Sequence, residues 1–207
     1  MWKGFFDLDG PFNRIGTLIF DLIALNIIWF IFSIPIITIG ASTTALFYAT
    51  GKKVRKEDGY IFRDFWKSFK MNFKQSTIIW IIMLIMAFII WFNLNNLWVF
   101  GNMQKFFVIF QYAILIQFII IGIYIFPLLS RFYVTVPGVF KMSFIIGNRH
   151  ILTTIICVAL LVITVLLMLT IPMYFFMGVS VYAIASIYFI QKILVNYMPE
   201  NQENKQE

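Results

Sequence analysis

Apolar residues run in long, nearly unbroken stretches along this chain, without the short alternations of a soluble domain. Five stretches have the length a helix needs to cross the hydrocarbon of a bilayer, about 20 residues at about 1.5 Å each. They cover residues 15–39, 76–98, 106–129, 151–170 and 173–194. The last two come from one uncharged run, Ile151 to Gln191, which is too long for a single span. Pro172 falls inside that run, and a hairpin is expected there because proline breaks the hydrogen-bond ladder. The pattern predicts an all-α polytopic membrane bundle of five helices, forming one domain over residues 1–198. The polar stretch 199–207 has too little apolar content to pack and is expected to be a disordered tail.

One segment resists assignment. Residues 36–50 are fairly apolar but short, and small residues dominate at Gly40, Ala41, Ser42, Thr43, Thr44 and Ala45. They fit an interfacial helix, a re-entrant piece or a squat sixth span. Together with Pro35, the residues Gly40, Ala41, Ser42 and Thr44 are candidates for a hinge or for close helix packing, since small side chains let backbones approach.

The next stretch, 52–74, holds eight of the sixteen basic residues of the chain. Within it Phe62, Phe65, Trp66, Phe69 and Phe73 recur at helical spacing, as do Arg63, Lys67, Lys70 and Lys74. The two stripes lie roughly 100° apart on a helical wheel, so lysines flanking the aromatic side can reach headgroups. This pattern predicts a basic amphipathic helix lying in the membrane surface. Phe62, Trp66, Phe69 and Phe73, with the four cations, would be its contacts to anionic lipid or to a partner.

Composition sharpens the class. The mean hydropathy is +0.89, and charged residues are only 12% of the chain, about half the soluble norm of ~25%. A net charge of +7 would suggest nucleic acid in a soluble protein. Here no carboxylate occurs between Asp64 and Glu200, so the excess comes from missing acids and from cations at span ends. Nucleic-acid binding is therefore not expected. The basic loops 52–74 and 131–150 belong in the cytoplasm, and so does the C-terminus. Five spans put the N-terminus outside, and a sixth at 36–50 would put it inside. Pro35 and Pro127 support five, as each would sit near the cytoplasmic end of a span that precedes a basic loop.

Candidate chemistry is sparse. Asp21 is the one carboxylate in the first apolar run, where a charge costs roughly 2.5–3.5 kcal/mol and needs a partner, water or a proton. With Asn26 it forms a candidate intramembrane polar site; the competing reading is a shallow Asp bonded between helices. Gln111, Gln117 and Gln191 read as bonds between neighbouring helices. The lone Cys157 offers no disulfide and no redox pair. No paired carboxylates, nucleophile–base pair, metal-ligand spacing or glycine-rich phosphate loop can be assembled, so no enzyme activity, metal or cofactor is expected.

Several motifs resemble the bacterial membrane family built around the YesL protein, the DUF624 family. They are Phe6-Asp-Leu-Asp-Gly-Pro11, Asp21-Leu-Ile-Ala-Leu-Asn-Ile-Ile-Trp29 and Ser33-Ile-Pro-Ile-Ile-Thr-Ile-Gly-Ala-Ser42. Thr44-Ala-Leu-Phe-Tyr48, Asp58-Gly-Tyr-Ile-Phe-Arg-Asp-Phe-Trp66 and Phe69-Lys-Met-Asn-Phe-Lys-Gln75 continue the resemblance. It implies an integral, multi-pass protein of the bacterial cell membrane. Relatives encoded beside binding-protein-dependent ABC importers imply a non-enzymatic accessory role in carbohydrate uptake, with ABC permease subunits as partners. The alternative is a small stand-alone solute transporter, working as a homo-oligomer such as a dimer and using Asp21 and Asn26. The resemblance carries no catalytic residues.

Overall fold

The computed structural model describes residues 11–57 and 59–197, so the predicted tail at 199–207 lies outside the described residues. Seven α-helices account for nearly all of them: α1 (Pro11–Ser33), α2 (Ile39–Val54), α3 (Ile61–Asn95), α4 (Gln104–Arg131), α5 (Val136–Arg149), α6 (Ile151–Thr170) and α7 (Gly178–Leu194). No strand occurs among the described residues. Short 3-10 turns at Ile36–Thr38, Leu97–Met103 and Pro172–Phe176 join the longer helices, the last of them at the predicted Pro172 hairpin. Five helices, α1, α3, α4, α6 and α7, are long and apolar enough to cross a membrane.

The outer surface agrees with that reading. Phe20, Ile109, Leu152 and Leu169 are between 71% and 78% exposed, and exposed apolar residues recur along α1, α3, α4 and α6, whereas α7 is largely covered. A protein in water does not leave so much contiguous apolar area uncovered.

The core is organised around the helix the hydropathy pattern could not place. α2 is 16 residues long, about 24 Å at ~1.5 Å per residue. Ten of its residues are buried, including Gly40, Ala41, Ser42 and Thr44. Asp21 pairs with Lys53, and the Trp29 Nε1–H donates to Thr43 Oγ1 at 3.2 Å, so α1 and α2 run antiparallel. Lys52 meets Asp64, Thr44 meets Ser76, and Trp80 Nε1–H donates to the Ile36 carbonyl at 2.8 Å, which makes α3 antiparallel to α2. Gln111 donates to the Ile90 carbonyl, which pairs α4 with the far half of α3. Gln191 donates to the Gly51 carbonyl at 2.9 Å, and α7 descends beside α2.

The five apolar helices agree with the five expected spans, and the segment the sequence left open, residues 36–50, folds as the short helix α2 antiparallel to α1 and α3. The chain reverses direction five times, since α5 and α6 both run antiparallel to α4, and the start of α1 lies at the same end as the 55–60 loop and the end of α7. Pro35 sits in the turn at the opposite end, its carbonyl accepting from the Thr38 N–H and hydroxyl. α2 escapes a hydropathy scan because it is 16 residues long and rich in Gly, Ser and Thr, although its hydroxyls are hidden inside the bundle. Ser42, Thr44 and Thr50 each donate to the carbonyl four residues back, and Thr44 also meets Ser76. We expect cysteines introduced singly by Lys3→Cys and Glu57→Cys, in a Cys157→Ser background, to label from the same side of the membrane. Labelling from opposite sides would mean that α2 does not carry the chain across.

One correction concerns the basic stretch. It is not a separate helix lying in the membrane surface, because α3 runs unbroken for 35 residues, about 52 Å at ~1.5 Å per residue, from Ile61 through the basic stripe to Asn95. A helix without a break cannot lie flat in its first half and cross in its second. Surface amphipathicity falls to α5, which buries Val139, Ser143, Ile146 and Gly147 on one face and leaves Lys141, Phe144 and Arg149 exposed. His150, at φ −113° and ψ 54°, breaks the chain between α5 and α6, and no equivalent break interrupts α3.

Candidate functional site

Three ion pairs of the described residues gather at the basic end, where α1, the last turn of α2 and the start of α3 meet. α2 ends in a Schellman motif: Glu57 N–H donates to the Lys52 carbonyl and Lys56 N–H to the Lys53 carbonyl, each at 3.1 Å. Lys56 occupies the left-handed position, at φ 57°, where glycine is the usual residue. The motif fixes consecutive lysines in different directions. Lys53 reaches Asp21 on α1, and Lys52 reaches Asp64 on α3 at 3.0 Å. Arg55 holds Glu57 through both guanidinium contacts. Burial works against the Glu57 carboxylate, but the bound Arg55 outweighs it and keeps the pKa below the ordinary carboxylate value.

Asp64 lies in the first turn of α3, where the helix dipole favours a carboxylate. Gly59 gives it room, since any Cβ there would collide with the Asp64 carboxylate. Between α1 and the start of α3, floored by Ala49 and the end of α2, lies a half-open cavity of about 620 Å³. Three carboxylates (Asp21, Glu57, Asp64) and three ammonium groups (Lys52, Lys53, Lys56) line it, beside the apolar Phe20, Ala24, Ile28 and Phe62.

The residues expected from the sequence are distributed differently. Asp21 does reach the cavity, but Asn26 does not join it. Five residues along α1 is about 140° around the helix, so the two side chains face different neighbours. Asn26 is buried against α7, donating to the Phe175 carbonyl at 3.1 Å and accepting from the Ser180 N–H at 3.3 Å. Ser180 Oγ adds a bond to the Leu22 carbonyl. Asn26 is therefore a clamp between α1 and α7. Gln111 and Gln191 bond neighbouring helices as expected, and Gln117 accepts from Asn148.

In the basic half of α3, Arg63, Lys67, Lys70 and Lys74 are exposed, as are Phe62 and Phe73. Phe69 is buried and Trp66 half-buried, because Phe32 at the end of α1 packs on both, with ring centroids 5.0 and 5.4 Å away. Two of the proposed lipid-facing aromatics thus belong to the core. Lys70 lies over the Trp66 ring at 4.7 Å. The residues that sequence reasoning missed are Lys52, Lys53, Lys56 and Asp64. They were counted as loop charge, and only the antiparallel return of α2 brings them to Asp21. Among the described residues, no group of three His, Cys, Asp or Glu side chains is placed to hold a metal ion.

Residues 22–94 match the family model described as protein of unknown function, DUF624. Over that stretch the chain is similar to the DUF624 family. The match begins one residue after Asp21 and ends in the last turn of α3, so the matched segment contains the second half of α1, all of α2 and nearly all of α3. These are the helices that surround the cavity. No curated protein and no solved structure matches the chain.

Proposed function

We propose that this chain is an integral membrane subunit that acts by binding and not by chemistry. In this reading it is an accessory component of an ABC-type carbohydrate uptake system in the bacterial cell membrane. Its basic end faces the cytoplasm, since positively charged loops are retained there. The supporting observation is how the bundle spends its buried polar groups. Asn26, Thr44, Ser76, Gln111, Tyr124, Thr154, Ser180 and Gln191 are all bonded to neighbouring backbone or hydroxyls. A second cavity of about 270 Å³, lined by α2, α4, α6 and α7, has Thr43 and Tyr182 as its polar side chains, and the rest of its lining is apolar. Such an interior favours a rigid scaffold over a solute path.

A stand-alone transporter, working as a homodimer, is the second reading. It draws on the Asp21–Lys53 pair beside the large cavity, now without Asn26. Affinity purification of the full chain from its native membranes in mild detergent separates the two. Stoichiometric recovery of a permease or its ATPase is the expected result. Recovery of the chain alone, with Asp21-dependent solute flux in proteoliposomes, would overturn the accessory reading.

A further inference from the structure

We propose that the cavity between α1 and the start of α3 binds the phosphate headgroup of an acidic bilayer phospholipid, with Lys56 as its charge partner. Charge is the first argument. Each carboxylate lining the cavity is already neutralised: Asp21 by Lys53, Asp64 by Lys52 and Glu57 by Arg55. Among the described residues Lys56 makes no ion pair, so it is the ammonium group of the lining that has no bound carboxylate. The Schellman turn fixes the backbone from which that side chain extends.

Shape is the second argument. One wall is a single face of α1, running from Thr17 through Asp21 and Ala24 to Ile28, about 16 Å along a helix at ~1.5 Å per residue. That helix is apolar enough to span. Exposed Phe20 and Phe62 flank the opening, 71% and 58% accessible. The cavity is thus charged toward the end of α2 and apolar along α1, which is the amphipathic profile of a phospholipid at the bilayer boundary. Its volume of about 620 Å³ accommodates a headgroup and the first carbons of an acyl chain. A water-soluble anion would leave the Phe20, Ala24 and Ile28 wall unused.

The test is native mass spectrometry of the full chain in detergent, titrated with phosphatidylglycerol, with diacylglycerol of the same chains, and with glycerol phosphate. The wild type should retain one phosphatidylglycerol and neither of the other two. Lys56→Gly suits the left-handed backbone and should weaken that binding about fivefold, the scale of one lysine at an anionic surface. Lys56→Asn, which also tolerates that backbone, should do the same, and Lys141→Ala on α5 should bind as the wild type does. Thermal melting of each variant verifies that it is folded. Unchanged binding in both Lys56 variants would overturn the proposal. So would equal retention of diacylglycerol, which would indicate a tail contact only, or of glycerol phosphate, which would indicate a soluble ligand.

Discussion

Replacing Gly40 with leucine should cost the folded protein about 2–4 kcal/mol and strip most of it from a monodisperse detergent peak. A Cβ at this position would lie 2.6 Å from both the Ser76 carbonyl oxygen and the Trp80 Cβ. One obstacle is backbone inside an unbroken helix, so it cannot rotate away. Overpacking alone costs about 1–3 kcal/mol. Forcing α2 from α3 would also break the Thr44–Ser76 hydroxyl contact, at 3.0 Å, where bonds between membrane helices contribute roughly 0.6–1.7 kcal/mol. Leucine is the better helix former by somewhat under 1 kcal/mol, which offsets only part of this loss. Gly16→Leu supplies the control, because nothing lies within 4 Å of a Cβ there. Equal melting temperatures for the two variants would mean that α2 does not pack closely on α3.

Lys53→Glu should be the most damaging single charge change, and Asp21→Lys should rescue it. The pair is only partly accessible, with side chains 29% and 16% exposed. Breaking a fully buried pair costs about 3–5 kcal/mol, and solvent reaching this one reduces the expected loss to about 1–3 kcal/mol. The reversal also sets two carboxylates against each other where α1 meets α2. The double swap restores opposite charges on the same helices and should recover most of the melting temperature. The swap also distinguishes the functional readings: a structural pair tolerates it, whereas an Asp21-dependent transporter would refold and still lack flux. A double variant as unstable as Lys53→Glu alone would show that the two side chains do not meet.

Much of the architecture was readable before any coordinates. The boundaries of α6 coincide with the predicted 151–170 span, and the Pro172 hairpin falls where the uncharged run required it. Those features depend on length and local sequence, which hydropathy and proline report directly. Gln111 and Gln191 were also foreseeable, because a buried amide must find a partner wherever the neighbouring helix lies. The direction of α2 was not readable. Its Gly, Ser and Thr content lowers its hydropathy, and the bonds that hide those hydroxyls appear only after the helix has formed. The sequence therefore left open whether residues 36–50 cross, and the turn at Pro35 lies at the end of α1 away from the basic loop. The aromatic stripe of 62–73 failed for a similar reason. Periodicity shows that Phe69 and Trp66 share a face, but not that Phe32 covers it.

The sequence by itself determined an all-α chain with five helices apolar enough to cross a bilayer, and a concentration of cations at one end. Each of these follows from how many apolar residues stand in a row and where acids are missing. Tertiary structure alone decided that a sixth, short helix returns the chain to its starting end. It also separated Asn26 from Asp21, and it drew Lys52, Lys53, Lys56 and Asp64 around one cavity. Pairings of that kind join residues up to 32 positions apart. They depend on the direction in which each helix runs and on which face it turns inward, and hydropathy encodes neither.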